Sequence, residues 1–180
     1  MVEENNVALT RAFANALGDN LDQFLQSTGG MGTDELLLHP AMHDIAESVG
    51  EAAAGTRVAK IKIYNVSGLT IFSSDQSQIG EEKSANMGFL SAMRGEIEST
   101  LTYRDQFDSF ELTKFDRYLI SSYIPVYQSL GSAAPFGVFE IYADITVLRS
   151  NITERNWLIL GATIGILLIV YGLVLFTVVI

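Results

Sequence analysis

Val58-Ala-Lys-Ile-Lys-Ile-Tyr64, followed by Asn65-Val-Ser-Gly68 and Leu69-Thr-Ile-Phe-Ser73, is where the hydrophobic period of this chain changes from 3.6 residues to 2. Successive side chains of a strand point to opposite faces. Ile61 and Ile63 therefore fall on one face, and Lys60, Lys62 and Tyr64 on the other. Asn65 and Gly68 are turn residues, so the two runs make a β-hairpin. Three further strand candidates follow, Ser99 to Arg104, Tyr118 to Val126 and Gly137 to Ala143. Five strands after a helical beginning predict an α+β domain, with one antiparallel sheet and helices on it.

Upstream of the hairpin the pattern is helical. Residues 2 to 27 carry a wide stripe, Val7, Ala14, Leu17, Leu21, Phe24 and Leu25, with Leu9 and Phe13 beside it. Such a stripe suits a helix that packs on a sheet and also touches a partner helix. Gly29, Gly30 and Gly32 end it. Thr33 with Asp34 and Glu35 starts a second helix, Pro40 is tolerated near another start, and Ala41 to Ala54 continues to Gly55. After Ile79-Gly80 a short helix with Phe89, Leu90 and Met93 ends at Gly95. Past the last strand, Asp144 is expected to cap an exit helix with Val147, Leu148 and Ile152.

From Trp157 to Ile180 the chain reads WLILGATIGILLIVYGLVLFTVVI, 24 residues without a charge. As a helix it would extend roughly 36 Å, enough for a bilayer core of about 30 Å. It is expected to be a transmembrane helix and not a buried core helix. Gly161 and Gly165 form a small-xxx-small pair, with Gly172 nearly on the same face, a pattern that lets two helices approach closely but that also reflects how common glycine is in membrane helices. The start, Met1-Val-Glu-Glu-Asn-Asn, has no basic segment and no apolar core, unlike a signal peptide. The chain is therefore expected to be a segment of a longer membrane protein, with a tail-anchored protein as the alternative.

The composition narrows the function. There are 21 acids against 11 bases, a net charge of −10, and the acids are scattered. Such a domain is a poor nucleic-acid binder and is repelled by anionic lipid. Without cysteine there is no disulfide, thiol catalysis or thiolate zinc site. His39, His43 and Glu47 line one helical face at metal-binding spacing, but that face points away from Met42, Ile45 and Val49 and reads as solvated. No Ser-His-Asp set or phosphate loop is present, so this chain is not expected to be an enzyme and no cofactor or metal is expected. Asn65-Val-Ser67 and Asn151-Ile-Thr153 match the glycosylation pattern, but Asn65 already has a turn role.

Ile63-Tyr-Asn-Val-Ser-Gly68, Thr70-Ile-Phe-Ser-Ser74 and Gln78-Ile79-Gly80 resemble the first hairpin and loop of Cache (PAS-like) extracytoplasmic sensor domains. Ser121-Ser-Tyr-Ile-Pro-Val126 and Gly137-Val-Phe-Glu-Ile-Tyr-Ala-Asp-Ile-Thr146 resemble that family's last two strands and exit. The match covers residues 58 to 146, and its single sheet fits the single-Cache class. The resemblance implies the periplasmic sensor region of a bacterial inner-membrane receptor, such as a two-component sensor histidine kinase, a diguanylate cyclase or a chemoreceptor. The expected organisation is a helical region over 1–57, a sensor core over 58–146, an exit helix over 147–156 and a transmembrane helix over 157–180.

Strand alternation maps the sheet. Ile61, Ile63, Ile120, Phe139 and Ile141 are expected to face the long helices. The opposite face then holds Lys60, Lys62, Tyr64, Glu140 and Tyr142, with Arg104 and Tyr123 as candidates. A cation flanked by phenols suits a carboxylate, since Arg grips one with two hydrogen bonds. Arg104, Tyr64, Tyr123, Tyr142 and Lys62 are therefore the candidate ligand-binding residues, for a small polar or anionic ligand such as a carboxylate or amino acid. The plainer alternative is a set of solvated strand residues paired with Glu140 and Asp105. Three functions follow: a ligand-sensing input domain working as a homodimer, a ligand-free coupling module, or a tail-anchored protein.

Overall fold

The structure, a computed structural model, describes residues 2–110, 113–128, 132–148, 159–169 and 171, without the side chains of 16–20. The element order is α1 (Val2–Ser27), α2 (Thr33–Leu37), α3 (Ala41–Ala53), β1 (Val58–Tyr64), β2 (Thr70–Ser73), α4 (Met87–Met93), β3 (Glu98–Asp108), β4 (Thr113–Val126) and β5 (Gly137–Asp144), with a 3-10 turn at Gln76–Gln78. The chain divides into two units, Met1–Ile145 and Thr146–Ile180.

In the first unit the five strands form one antiparallel sheet in the order β2-β1-β5-β4-β3. The β1–β2 turn forms as its residues require. Asn65 Oδ1 accepts from the Ser67 and Leu69 amides, and Gly68 takes a φ of 87°. A Cβ at Gly68 would meet the Ser84 amide nitrogen at 2.6 Å, so the close approach needs glycine as much as the dihedral does.

Helices α1 and α3 cover the proximal face. Ile61, Ile63, Phe139 and Ile141 are fully buried there against Phe13, Leu21, Phe24 and Ile45. Ile120 is only half-buried, because its β3 neighbour Leu101 lies at the sheet's exposed margin. In the expected stripe of α1, Phe13, Leu21, Phe24 and Leu25 are buried, Val7, Leu9 and Ala14 are half-buried, and the Leu17 side chain lies outside the described residues. The helix also buries two polar residues on the sheet. Asn6 Nδ2 donates to Ser122 Oγ at 3.0 Å, Ser99 Oγ to Ser122 Oγ at 3.0 Å, and Thr10 is 2% exposed.

The strands β3 and β4 run longer than their apolar patterns suggest. They continue as an arm whose end turns back over the sheet. Phe107 packs on Ala59, Leu119 and Tyr142, and the Phe110 amide donates to Ala59 O at 3.2 Å. The arm carries a backbone irregularity at Asp116, with a φ of 53°, whose carboxylate accepts from the Tyr103 hydroxyl at 2.6 Å.

In the second unit the described residues 146–148, 159–169 and 171 are helical. Among the described residues no helix is long and apolar enough to cross a membrane. Gly161 and Gly165 have open space where a Cβ would stand. Gly172, residues 149–158, and 170 and 173–180 of the apolar run lie outside the described residues.

Candidate functional site

The sheet's distal face, away from α1, is covered at both ends by the chain itself. At one end α4 lies on it. Asn86 caps this helix by accepting from the Phe89 amide at 3.0 Å, and Phe89 and Ala92 pack on Tyr64, Tyr123 and Val138. The backbone of α4 sits directly on an aromatic ring, since a Cβ at Gly88 would be 2.2 Å from Tyr123 Cδ2. At the other end the β3–β4 arm brings Phe107 beneath Lys60, whose Nζ is 4.6 Å from the ring centroid.

Between these covers stands Glu140. The strand register places it directly opposite Lys62 on β1 and Tyr123 on β4. Tyr142 lies two residues along β5, opposite Ser121, and Tyr64 faces Val138. Glu140 is 1% exposed and Tyr64 0%. The Tyr64 hydroxyl donates a very short hydrogen bond to Glu140 Oε2. The charge of Glu140 also acts on the hydroxyls of Tyr123 and Tyr142. The rings of Tyr64 and Tyr123 stack at 6.4 Å, with Phe89 edge-on to Tyr64. Burial first, and then the charge of Glu140, push all three tyrosine hydroxyls far above their ordinary value.

Both lysines are buried and already have acidic partners. Lys60 Nζ is 3.0 Å from Asp75, and Lys62 Nζ is 3.4 Å from Glu81, which also holds Lys83 at 3.1 Å. Burial lowers the Lys62 pKa, against the opposing pull of Glu140 and Glu81. Burial alone would raise Asp75, but hydrogen bonds from Ser77 and Lys60 leave it below its usual range. Glu81 behaves alike, its burial outweighed by Lys83 and Lys62.

Of the candidate residues, Tyr64 bonds Glu140, Lys62 and Tyr123 stand opposite it in the strand register, and Tyr142 lies two residues along β5. Arg104 lies on the same face, opposite Arg117 on the edge strand, exposed and close enough for its charge to act on Tyr123 and Tyr142. The plainer alternative does not describe these residues. Lys60, Lys62, Tyr64 and Glu140 are not solvated strand residues, because α4 and the arm roof them. The acids within 4.0 Å of the lysines, Asp75 and Glu81, come from the segment after β2, while the charge of Glu140 also acts on Lys62. Glu140 was the residue least visible as a site member, since it read as a counterion. The one signal for it was an acid enclosed by Val138, Phe139 and Ile141.

His39 Nε2 lies 3.1 Å from Ser27 Oγ and its ring meets Phe24 edge-on, while His43 and Glu47 are exposed. Among the described residues no group of three or more His, Asp or Glu is arranged to hold a metal ion.

No protein-family model matches the chain, and no curated protein sequence matches it. Among solved structures it is similar to the periplasmic domain of RsbU from Chlamydia trachomatis, at 16% identity and a TM-score of 0.41, over 83% of this chain. The chain spans about half the length of that neighbour, 53% of it.

Proposed function

We propose that this chain is the extracytoplasmic ligand-sensing region of a bacterial membrane receptor, anchored in the inner membrane by the run 157–180, with the sheet domain periplasmic. The observation that carries the reading is the roofed polar face. Charged side chains buried in a sheet cost several kcal/mol per ion before pairing, and apolar replacements of equal volume often serve stability as well or better. A sheet with only a structural role gains little from Lys60, Lys62 and Glu140 in its interior. A ligand site does gain, because polar contacts strengthen away from water. The parent is proposed to be a sensor histidine kinase, with a diguanylate cyclase or chemoreceptor as the alternative. Ligand would favour one arrangement of a homodimer by a few kcal/mol and pass the difference through the exit helix.

The closure of the site favours a second reading, a ligand-free coupling module, since Tyr64 is wholly buried. One experiment separates the two. The full chain in lipid nanodiscs is melted with a panel of organic acids, amino acids and amines. A bound ligand at a hundredfold over its Kd adds about 2.7 kcal/mol, which raises Tm by roughly 5–10 °C in a chain of this size. Arg104→Ala should shrink that rise while leaving the unliganded Tm unchanged, since Arg104 is exposed. A panel with no active member leaves the coupling reading standing alone.

For the dimer, replacing Gly161 and Gly165 together with Ile should weaken self-association of 157–180 in a membrane two-hybrid reporter, because the bulky side chains hold the helices apart. Undiminished association removes this face from the interface.

A further inference from the structure

We propose that the free edge of β3 pairs with the same edge of a second copy, as two antiparallel strands related by a two-fold axis at Leu101. The two edges of the sheet are finished differently. The strand β2 is short, and the chain itself closes its outer side. The Thr70 amide donates to Glu81 O at 2.8 Å, the Gly80 amide to Thr70 O at 2.8 Å, and the Lys83 amide to Gly68 O at 2.7 Å. At the other edge β3 runs for 11 residues with no strand beyond it. An edge strand turns every second N–H and C=O outward, where another strand can take them. Among the described residues, no backbone bond outside the β3–β4 ladder involves residues 98–104. Edges are commonly guarded by lysine, proline or a bulge. Residues 98–104 contain neither lysine nor proline, and their pairing with β4 is unbroken from Glu98 opposite Tyr123 to Arg104 opposite Arg117. The ladder is interrupted only beyond Arg104, where Asp105 and Asp116 drop out of it. The regular open edge is therefore Glu98 to Arg104, and Leu101 is its midpoint.

About that midpoint the edge is complementary to itself. Leu101 meets Leu101 of the second copy, Thr100 meets Thr102, Ser99 meets Tyr103, and Glu98 meets Arg104. A two-fold contact makes each unlike pair twice. Glu98 and Arg104 are exposed on the distal face, and among the described residues neither has an ion pair within the chain. Leu101 is 54% exposed and Tyr103 46%, on the proximal face, so the pairing covers apolar surface there. Opposite charges, threonine pairs and apolar side chains facing one another are the pairs that favour two strands side by side. Other axes match less well. An axis at Thr102 sets Glu98 against Gln106 and Arg104 against Thr100, leaving both charges unmatched. An axis at Thr100 sets Arg104 against Glu96, which lies before the strand and already holds Arg94 at 3.2 Å. The match matters because a net charge of −10 makes two copies repel, and a local Glu–Arg pair offsets that where the strands meet. The contact is small, so it forms where copies are concentrated, as in a membrane. It does not depend on the distal face binding a ligand.

The test uses the full chain in lipid vesicles. The chain has no cysteine, so one introduced thiol reports without background. Facing residues of paired strands have Cα atoms about 4.5–5.5 Å apart, within reach of a disulfide. On mild oxidation Leu101→Cys should give a cross-linked dimer in several times the yield of Leu38→Cys, which is 84% exposed but lies off the edge. Similar yields at the two positions mean that copies meet elsewhere, through the run 157–180 or by collision, and overturn the edge pairing. Charge exchange then tests the axis. Glu98→Arg and Arg104→Glu, each added to Leu101→Cys, set like charges opposite one another and should each cut the yield severalfold. The two together should restore it. Single exchanges without effect, or a double exchange that restores nothing, overturn the pairing of Glu98 with Arg104. Should Leu101→Cys fold poorly, Thr100→Cys mixed with Thr102→Cys gives the same answer: the mixture should cross-link more than either variant alone, and no excess in the mixture overturns the proposal.

Discussion

Phe139→Ala should lower the free energy of unfolding by about 3–5 kcal/mol, a large part of the 5–15 kcal/mol typical of a domain. Phe139 sits in the middle strand, paired with Ile63 on one side and Ile124 on the other. It is fully buried, and its ring stacks on Phe13 of α1 at 6.2 Å with 7° between the planes. Truncation removes the contact through which the long helix lies on the sheet, and neighbouring strands held by ladders on both sides have little freedom to close the cavity. Urea unfolding of the chain in detergent should show a lower midpoint at an unchanged slope. Phe115→Ala is the control. Phe115 is 61% exposed, and its loss should cost less than about 0.5 kcal/mol. A cost below about 1 kcal/mol for Phe139→Ala would mean that α1 is not seated there.

The same residue shows what made the fold readable. Phe139 and Ile141 alternate with Glu140 and Tyr142, as Ile61 and Ile63 alternate with Lys60 and Lys62, and a period of 2 leaves no choice of face once one face is apolar. Register was less legible, since one slip around Arg104 and Tyr123 would have turned every side chain over, and it is the structure that sets Tyr123 opposite Glu140. The ends of β3 and β4 were less legible. Arg104, Asp105, Gln106 and Asp116 carry no strand pattern, because the arm leaves the sheet and has water on much of its surface. What holds it as a ladder is backbone pairing and a few contacts such as Tyr103 with Tyr118, which sequence periodicity does not record.

The make-up of the distal face was readable, and the pairings on it were not. Alternation collected Lys62, Tyr64, Tyr123 and Tyr142 on one face, but the partners of the lysines lie beyond β2 in a segment without regular pattern. Asp75 is held by its own turn, accepting from Ser77, and Glu81 follows the tight turn at Gly80. Gly80 has a φ of 88°, and a Cβ there would collide with Thr33 Oγ1 at 2.1 Å, so this loop is positioned by α2, some fifty residues earlier in the chain. Long-range placement of that sort decides whether a lysine faces an anion or an aspartate. Among the described residues both lysines have an acid within 4.0 Å, and Glu140 acts on Lys62 through its charge alone.

That arrangement fixes how the fold should respond to alkali. Tyr64, Tyr123 and Tyr142 are raised well above the ordinary tyrosine value of 10.0. A group whose pKa is higher folded than unfolded adds stability that is complete below the unfolded value and is lost as pH rises beyond it. Above pH 10 the unfolded chain sheds three protons that the folded chain keeps. Stability should then fall by up to about 4 kcal/mol per pH unit, about 1.4 for each tyrosine. Lys62 has the opposite sign: its folded pKa lies below 10.5, so stability gains from it as pH rises towards that value and nothing further above it. The net result is a flat profile up to about pH 10 and a steep cooperative loss beyond it. Phenolate absorbance of these three residues should appear in the same step as loss of the near-ultraviolet circular dichroism. Tyr103 provides the contrast, since it is exposed, pushed up to about 12 by its bond to Asp116, and free to ionise without unfolding. In a Tyr64→Phe variant one of the three protons is gone, and the slope of stability against pH should drop by about a third. Phenolate formation by all the tyrosines while the dichroism persists would show that burial beside Glu140 does not hold these protons, and the closed distal face would have to be abandoned with it.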